Sequence, residues 1–134
     1  MTSKLTKTST PSSSSKRSFR LVTLGSSDAF NSGGRANSCF WVEDSCGNYL
    51  LDCGPTTPLA LQRWREPLGL DLTSLDVIYL THLHGDHIGG LPVLLLELNF
   101  NQLRTRSLTI SGPPTTEERI LTLCESAYPQ MMTK

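Results

Sequence analysis

The stretch Thr81-His82-Leu83-His84-Gly85-Asp86-His87-Ile88-Gly89-Gly90 contains all three histidines of the 134-residue sequence. His82 and His84 lie two residues apart, so in an extended segment their side chains point to the same side. The glycine that follows permits a turn, which can bring Asp86 and His87 to the same place. Imidazole and carboxylate groups together suit zinc or another first-row divalent metal. The stretch therefore predicts a metal site.

The pattern resembles the H-x-H-x-D-H signature of the metallo-β-lactamase superfamily. In this sequence the signature corresponds to four metal ligands: His82, His84, Asp86 and His87. Three flanking segments are similar to the ribonuclease Z-like branch of that superfamily: Leu-Leu-Asp-Cys-Gly at residues 50–54, Tyr-Leu-Thr at 79–81 and Gly-Gly-Leu-Pro at 89–92.

The resemblance implies an α/β fold of the α+β sandwich type, the αββα fold of the metallo-β-lactamases. It covers residues 19–128 but corresponds to only about one half of that fold. In the full family site two divalent ions, zinc or alternatively manganese, activate a hydroxide that attacks a phosphodiester. Asp86 would be the catalytic residue, orienting the hydroxide or moving its proton. The ribonuclease Z-like branch implies RNA 3′-end processing, or more broadly hydrolysis of phosphodiesters.

The missing half of the family fold supplies a further histidine ligand, an aspartate that bridges the two metals and a last histidine. In this sequence no histidine follows His87 and no aspartate follows Asp86. Four donor groups leave each of two ions with two protein ligands, whereas catalytic zinc usually has three. We therefore expect a truncated chain that binds at most one metal weakly and has little or no hydrolytic activity alone.

Two alternatives to a phosphodiesterase stay open. One is a non-catalytic metal-binding or interaction module, and the other is a hydrolase of acyl substrates such as thioesters or lactones. As a phosphodiesterase, the chain would act on RNA or on a small phosphodiester. The inner sheet face of a half-fold would be an apolar surface, which a homodimer could cover.

Three residues outside the histidine stretch are candidate site residues. Asp52 ends an apolar strand, and the resemblance places an aspartate here behind the metal site, where it would orient the ligand loop. The glycine-rich loop at residues 25–35 lacks the lysine and the helix of a phosphate-binding loop. Because the resemblance places this loop at the rim of the metal site, Asn31 and Arg35 are candidate substrate contacts.

Composition divides the chain into a tail and one domain. Residues 1–17 are rich in Ser, Thr and Lys, and this composition predicts a disordered basic tail. Residues 18–134 would form the partial metallo-β-lactamase domain. We expect a cytoplasmic protein, with organelle targeting by the basic tail as the alternative. No apolar run reaches the ~18 residues of a membrane span, so no membrane partner is expected.

The charges are unevenly placed, although the formal net charge is zero. Five of the 12 basic residues, and no acidic residue, fall in the first twenty positions. The rest of the chain contains seven basic and 12 acidic residues. This balance argues against a broad phosphate-binding face on the domain.

Hydrophobic periodicity and turn residues predict the following elements. Strands are expected at residues 19–24, 38–43, 48–52, 77–80 and 108–111. The strand at 77–80 has no polar alternation, which predicts burial on both faces. Helices are expected at residues 57–65, capped by Thr57 and closed by Pro67, at 88–101, and after Pro113-Pro114 with Thr115 and Glu118 as a capping box.

The same periodicity predicts which helical side chains face the core. In the first helix these are Leu61 and Trp64. In the last helix they are Ile120, Leu123, Cys124 and Ala127. The cysteines at positions 39, 46, 53 and 124 contain no C-x-x-C pair, so we expect buried free thiols in a reducing compartment.

Overall fold

The computed structural model of the chain describes residues 18–101 and 104–133. The predicted tail at residues 1–17 lies outside the described residues. Within them the chain forms a five-stranded sheet with the strands in sequence order. The strands are β1 Arg20–Gly25, β2 Cys39–Glu43, β3 Asn48–Leu51, β4 Leu75–Tyr79 and β5 Thr109–Ser111.

Four α-helices accompany this sheet in the described part of the chain: α1 Thr57–Leu68, α2 Gly85–Ile88, α3 Leu91–Phe100 and α4 Thr116–Ala127. Short 3-10 turns lie at Ser32–Gly34, Leu72–Ser74 and Met131–Thr133. None of the helices that the structure describes has the length and apolar character needed to cross a membrane.

The sheet is mixed, and its topology sets where the histidine loop lies. Strands β1, β2 and β3 pair antiparallel, whereas β3–β4 and β4–β5 pair parallel. Parallel neighbours need a crossover connection, which is α1 between β3 and β4 and α2–α3 between β4 and β5. The carboxyl ends of β3 and β4 therefore meet at one edge of the sheet, where Asp52 and the histidine loop begin.

One face of the sheet packs against the helices and forms the core. Paired positions across the strands place Trp41, Leu50 and Ile78 in one row, and all three are 0% exposed. Leu61 of α1 and Leu91 of α3 belong to the same hydrophobic cluster. This layer of sheet and helices is the half-fold that the sequence predicted.

The other face of the sheet is open within the described residues, so the prediction that β4 is buried on both faces is wrong. Ile78 and Leu80 are buried on the core side, but Tyr79 is 44% exposed and its ring lies 5.9 Å from that of Tyr49. In the same way Leu21 of β1 is 53% exposed. The apolar run of β4 reflects a parallel strand whose second face has no covering layer in this part of the chain.

Helix α1 differs from its prediction at both ends. Thr57 is the first helical residue rather than the cap, and the helix passes through Pro67 to Leu68. It ends at Gly69, whose φ of 64° is the left-handed conformation that favours glycine. The amide of Gly69 bonds to the Glu66 carbonyl at 3.1 Å, so the glycine ends the helix where the proline does not.

Only the first half of α1 faces the core, which corrects the prediction for Trp64. Leu61 is 0% exposed, whereas Trp64 is 47% exposed. The buried positions of the helix, Thr57, Pro58, Ala60 and Leu61, all lie before the helix midpoint. Spacing alone could not show that the second half leaves the core.

The predicted helix at residues 88–101 corresponds to α3, which begins only at Leu91, because Ile88 ends the separate short helix α2 and Gly89 and Gly90 lie between the two helices. A Cβ on Gly89 would lie 2.9 Å from Pro55 Cγ, and one on Gly90 would lie 2.2 Å from the Gly54 carbonyl oxygen. The two glycines therefore let the chain pack directly against the segment that follows β3.

Helix α4 forms without the predicted capping box. Thr115, at the cap position, has a φ of 71° and makes no side-chain cap hydrogen bond. The Thr116 hydroxyl instead donates to the Pro113 carbonyl at 2.7 Å. The predicted buried stripe is correct for Ile120 and Cys124, while Leu123 is half-buried and Ala127 is exposed.

The four cysteines are free thiols, as predicted, but one of them is not buried. Cys46 is exposed in the turn between β2 and β3, and Cys39, Cys53 and Cys124 are buried. Burial raises the pKa of the Cys39 thiol to about 12 and raises the pKa of Cys53 well above its usual value. Because the thiolate is the reactive form, both buried thiols of the sheet should be inert.

Truncating a leucine on each sheet face tests which face is covered. Leu50→Ala should lower the free energy of unfolding by about 2–5 kcal/mol, because it removes fully buried atoms and leaves a cavity. Leu21→Ala should cost about 0.5 kcal/mol, as for an exposed position. Urea unfolding measures both. A loss at Leu21 as large as that at Leu50 would mean that the open face is covered in solution.

Thiol labelling tests the cysteine environments. At pH 8 the native chain should react rapidly with one equivalent of an aromatic disulfide reagent at Cys46, and with four equivalents after denaturation. Cys46→Ser should abolish the rapid phase and leave three slow thiols. Rapid labelling of Cys39 below pH 10 would contradict its burial and its raised pKa.

Candidate metal centre

The structure brings the three imidazoles together at the carboxyl end of β4. His82 and His84 lie in the loop after the strand, and His87 lies on α2. The ring centroids of His82 and His84 are 4.7 Å apart, and those of His82 and His87 are 3.9 Å apart. An extended segment followed by one helical turn thus places His82 between the other two rings.

The carboxylate of Asp86 lies at the edge of this cluster. Its Oδ2 is 3.3 Å from Nε2 of His87, and both side chains are largely shielded from solvent. Asp86 stands in the first turn of α2. The structure therefore places all four predicted ligands in one group of neighbouring side chains.

Asp52 lies directly behind the cluster, at the end of β3. It is 5% exposed, and its Oδ2 is 2.8 Å from Nδ1 of His87. Its Oδ1 accepts the backbone N–H of Thr81 at 2.8 Å, and the Thr81 hydroxyl reaches Oδ2 at 2.8 Å. One buried carboxylate therefore fixes both the residue before His82 and the ring of His87.

The hydrogen bonds of Thr81 assign the protons of two imidazoles. An ionised Asp52 accepts but does not donate, so the Thr81 hydroxyl donates to it and His87 donates through Nδ1. The Thr81 oxygen then accepts from Nδ1 of His82, 3.0 Å away. In the neutral form of both rings, Nε2 is then unprotonated, the form in which imidazole binds a metal.

Backbone packing holds α2 against the segment after β3. The Cys53 amide donates to the His87 carbonyl at 2.7 Å, and the Gly90 amide donates to the Cys53 carbonyl at 2.9 Å. A Cβ on Gly54 would lie 2.1 Å from the Asp86 carbonyl oxygen. Only glycine at position 54 allows this approach, so Asp86 and His87 are positioned by main-chain contacts as well as by Asp52.

The donor groups are of the chemical types that bind a divalent ion, but too few of those described are arranged around one point. In their neutral form, two imidazoles present Nε2 lone pairs, and their Nδ1 atoms are held by Asp52 and Thr81, as the supporting hydrogen bonds of metal ligands usually are. Among the residues that the structure describes, however, no three or more His, Cys, Asp or Glu side chains form a group arranged to hold one ion. The donor types suit a divalent metal, but the described side chains do not by themselves form a complete set of ligands for one ion.

Asn31 and Arg35 line a separate cavity of about 390 Å³ between their loop and α1, and no histidine contributes to its lining. Asn31 adopts a φ of 55°, and its Oδ1 is buried without a hydrogen-bond partner among the described residues. Nε of Arg35 donates to the Ser32 carbonyl at 3.4 Å. The structure does not bring these two predicted substrate contacts into the histidine cluster.

Asp28 organises the loop that carries Asn31 and Arg35. Its carboxylate accepts the Ser32 hydroxyl at 2.7 Å and the Ser32 amide at 3.1 Å. The Ser32 hydroxyl, followed by its amide, lowers the pKa of the Asp28 carboxyl below its usual value. The loop is therefore held around an ionised aspartate.

Two polar residues of this region, the exposed Thr81 and the buried Asn37, were not predicted to support the site. Thr81 was recognised only as part of a flanking segment, although it connects Asp52 with His82. Asn37 is 1% exposed, and its Oδ1 accepts the hydroxyl of Thr56 at 2.8 Å. A polar residue directly before an apolar strand was the only sequence signal for Asn37.

Comparison with known proteins shows the family. The family described as Anti-Pycsar protein Apyc1 matches residues 19–122. Ribonuclease Z of Halorubrum lacusprofundi is 37% identical over 101 residues, which are 75% of this chain and 31% of the relative. Ribonuclease Z of Haloferax volcanii is 39% identical over 97 residues, covering 72% of this chain and 29% of the relative. Anti-Pycsar protein Apyc1 of Saccharibacillus brassicae is 36% identical over 86 residues, covering 64% and 34%.

Solved structures confirm the predicted fold class. Human tRNase Z, short form, superposes with a TM-score of 0.69 at 28% identity, covering 83% of this chain and 41% of that one. The long form of RNase Z from yeast gives a TM-score of 0.69 at 24% identity, covering 92% and 18%. The chain thus has the α/β architecture of one part of the metallo-β-lactamase fold. It spans about a third of the length of the curated relatives that it matches.

Removing the buried carboxylate tests the support of the cluster. Asp52→Ala should lower the free energy of unfolding by about 1–3 kcal/mol, because the Thr81 amide and the His87 ring lose their acceptor. Urea unfolding measures the loss, and imidazole ¹⁵N spectra should show that His87 no longer holds its proton at Nδ1. Glu66→Ala, at an exposed carboxylate, is the control.

A second variant separates charge from backbone strain, because Asp52 has a φ of 60°. Asp52→Asn tolerates the same left-handed conformation. It should retain part of the stability but still change the His87 spectrum. An unchanged His87 tautomer in both variants would show that Asp52 does not hold the ring.

Proposed function

We propose that this chain, which belongs to the Anti-Pycsar protein Apyc1 family and is a ribonuclease Z-like member of the metallo-β-lactamase superfamily, serves metal-dependent hydrolysis of phosphodiester bonds, with RNA as the substrate. The observation that carries the proposal is the pair of imidazoles, His82 and His87, whose Nδ1 atoms are fixed by Thr81 and Asp52. Their Nε2 atoms are thereby left for a metal, beside the carboxylate of Asp86.

In this proposal the metal is held by the predicted ligands: His82, His84, Asp86 and His87. Zinc is the favoured ion because imidazole and carboxylate are its usual ligands, and manganese is the alternative. When bound, such ions lower the pKa of water and stabilise the charge on a phosphate ester as its leaving oxygen departs.

The residues of the chain supply orientation and proton transfer. Asp52 holds His87 in the tautomer that binds through Nε2, and Thr81 does the same for His82. Asp86, whose Oδ2 lies 3.3 Å from His87 Nε2, would accept the proton of the attacking water. The close packing of Gly54 against the Asp86 carbonyl oxygen positions the backbone that carries this carboxylate.

The choice of phosphodiesters over acyl substrates is supported by the relatives named Ribonuclease Z, which are 37% and 39% identical to this chain. The number of metal-donor groups in the chain determines the expected rate of hydrolysis. Four donors shared between two ions give two ligands to each, fewer than the three of most catalytic zinc sites. We therefore expect weak metal uptake and slow turnover from these residues alone.

Metal titration tests the site. Calorimetry with Zn²⁺ and with Mn²⁺ should show weak uptake of about one ion per chain, and His84→Ala should abolish it because a donor is lost. Asp52→Ala should weaken binding about 10- to 100-fold, since the His87 ring loses its support. Glu66→Gln, a change of an exposed carboxylate, should bind metal like the unmodified chain.

Substrate turnover tests the reaction in the same samples. Bis(p-nitrophenyl) phosphate should be hydrolysed slowly with added metal, and not by His84→Ala, whereas a thioester and a lactone should not react. Turnover of the acyl substrates instead would replace the phosphodiesterase assignment. Metal binding without any turnover would indicate a non-catalytic metal-binding module. Metal binding that is unaffected by His84→Ala would contradict the proposed metal site.

A further inference from the structure

The cavity between the loop after β1 and helix α1 carries a feature that the proposed hydrolysis does not use. Its wall on one side is formed by Asn31 and Arg35, and on the other by Arg63 and Trp64. The volume of about 390 Å³ is in the range of small-molecule pockets. These four side chains belong to two segments about thirty residues apart.

The polar lining of this cavity is positively charged. Arg35 and Arg63 both contribute to it, and no Asp or Glu does. Among the residues that the structure describes, the Arg63 side chain has no hydrogen bond or ion pair, and the Arg35 side chain bonds only through Nε. Two guanidinium groups without an acidic partner present donors that match the oxygens of a phosphate.

An aromatic surface adjoins these two charges. Trp64 is 47% exposed, although the helical spacing predicted that it would face the core. The other tryptophan of the chain, Trp41, is 0% exposed. A large aromatic ring held at the surface next to arginine is the combination on which an unstacked base can lie in single-stranded nucleic acid recognition.

Two buried residues, Asn37 and Gly54, connect the cavity with the histidine cluster. Thr56 lines the cavity and bonds to Asn37, both through its hydroxyl and through its amide. A Cβ on Gly54 would meet the Asn37 side chain at 2.7 Å and the Asp86 carbonyl oxygen at 2.1 Å. Asn37 and Gly54 thus lie between the wall of the cavity and the ligand loop.

From this arrangement we propose that the cavity binds one nucleotide of single-stranded RNA, with its phosphate at Arg35 and Arg63 and its base on Trp64. The proposal rests on the RNA substrate of the proposed function and names a binding subsite for it. It is a local site, consistent with the mildly acidic charge of the domain, which excludes only a broad phosphate-binding face. Asn31, whose buried Oδ1 has no hydrogen-bond partner among the described residues, also lines the cavity.

RNA titration without metal tests the subsite. A labelled single-stranded RNA of twelve nucleotides is titrated in EDTA, and its anisotropy gives the Kd. Trp64→Leu should weaken binding at least about five-fold, the lower bound for one stacked base, and Trp64→Phe should restore most of it. Arg63→Ala should weaken binding and reduce the slope of log K against log salt by about 0.7, the value for one phosphate contact on a single strand.

Arg119→Ala is the matched control, because Arg119 is an exposed arginine on α4 that does not line the cavity. It should leave both the Kd and the salt slope unchanged. Intrinsic fluorescence adds a direct readout, since RNA should quench the exposed Trp64 and leave the buried Trp41 unaffected. Trp64→Phe should therefore abolish the quenching while it retains the affinity.

Three results would overturn the proposal. Equal losses of RNA affinity in Arg63→Ala and Arg119→Ala would mean that RNA binds by non-specific charge attraction. Unchanged binding in Trp64→Leu, with competition by inorganic phosphate, would mean a free-anion site without a base. No RNA binding at all would exclude the subsite, while turnover of the small phosphodiester would still decide the proposed function, because that substrate does not need the cavity.

Discussion

The buried carboxylate of Asp52 is the interaction on which the site depends. It stands at the end of β3, yet its acceptors are used by Thr81 at the end of β4 and by His87 on α2. The sheet thereby fixes the ligand loop through a side chain that is not itself a predicted ligand. A buried acceptor with this many donors is stable only if all of them remain in place, so the geometry of the imidazoles and the pairing of β3 with β4 are established together.

Parallel pairing explains why these groups meet at all. Because β3 and β4 run in the same direction, their carboxyl ends share an edge, and α1 must return the chain between them. The helices then bury Trp41, Leu50 and Ile78 on one face and leave the row that contains Tyr79 open within the described residues. The site is built at the rim of this single layer, where donors from two strand ends can converge without passing through the core.

The sequence predicted the parts of this structure that depend on local order. The spacing of His82 and His84 placed both rings on one side, and the strands and the free cysteines followed from periodicity and composition. The features that the sequence could not predict depend on contacts between distant segments. Trp64 has helical spacing but lies in the second half of α1, which is not buried in the core. Asn37 pairs with Thr56, 19 residues away. No periodic pattern contains such a pairing.

The absence of side chains is as informative here as their presence. Gly54 and Gly90 permit backbone contacts that a Cβ would block at 2.1 and 2.2 Å, and these contacts bring the segment after β3 against α2. The same Gly54 touches Asn37, whose partner Thr56 lines the cavity of Arg63 and Trp64. A larger residue at position 54 would push apart the ligand loop and the cavity wall simultaneously. The predicted metal ligands and the proposed nucleotide subsite therefore both depend on one close backbone approach at Gly54.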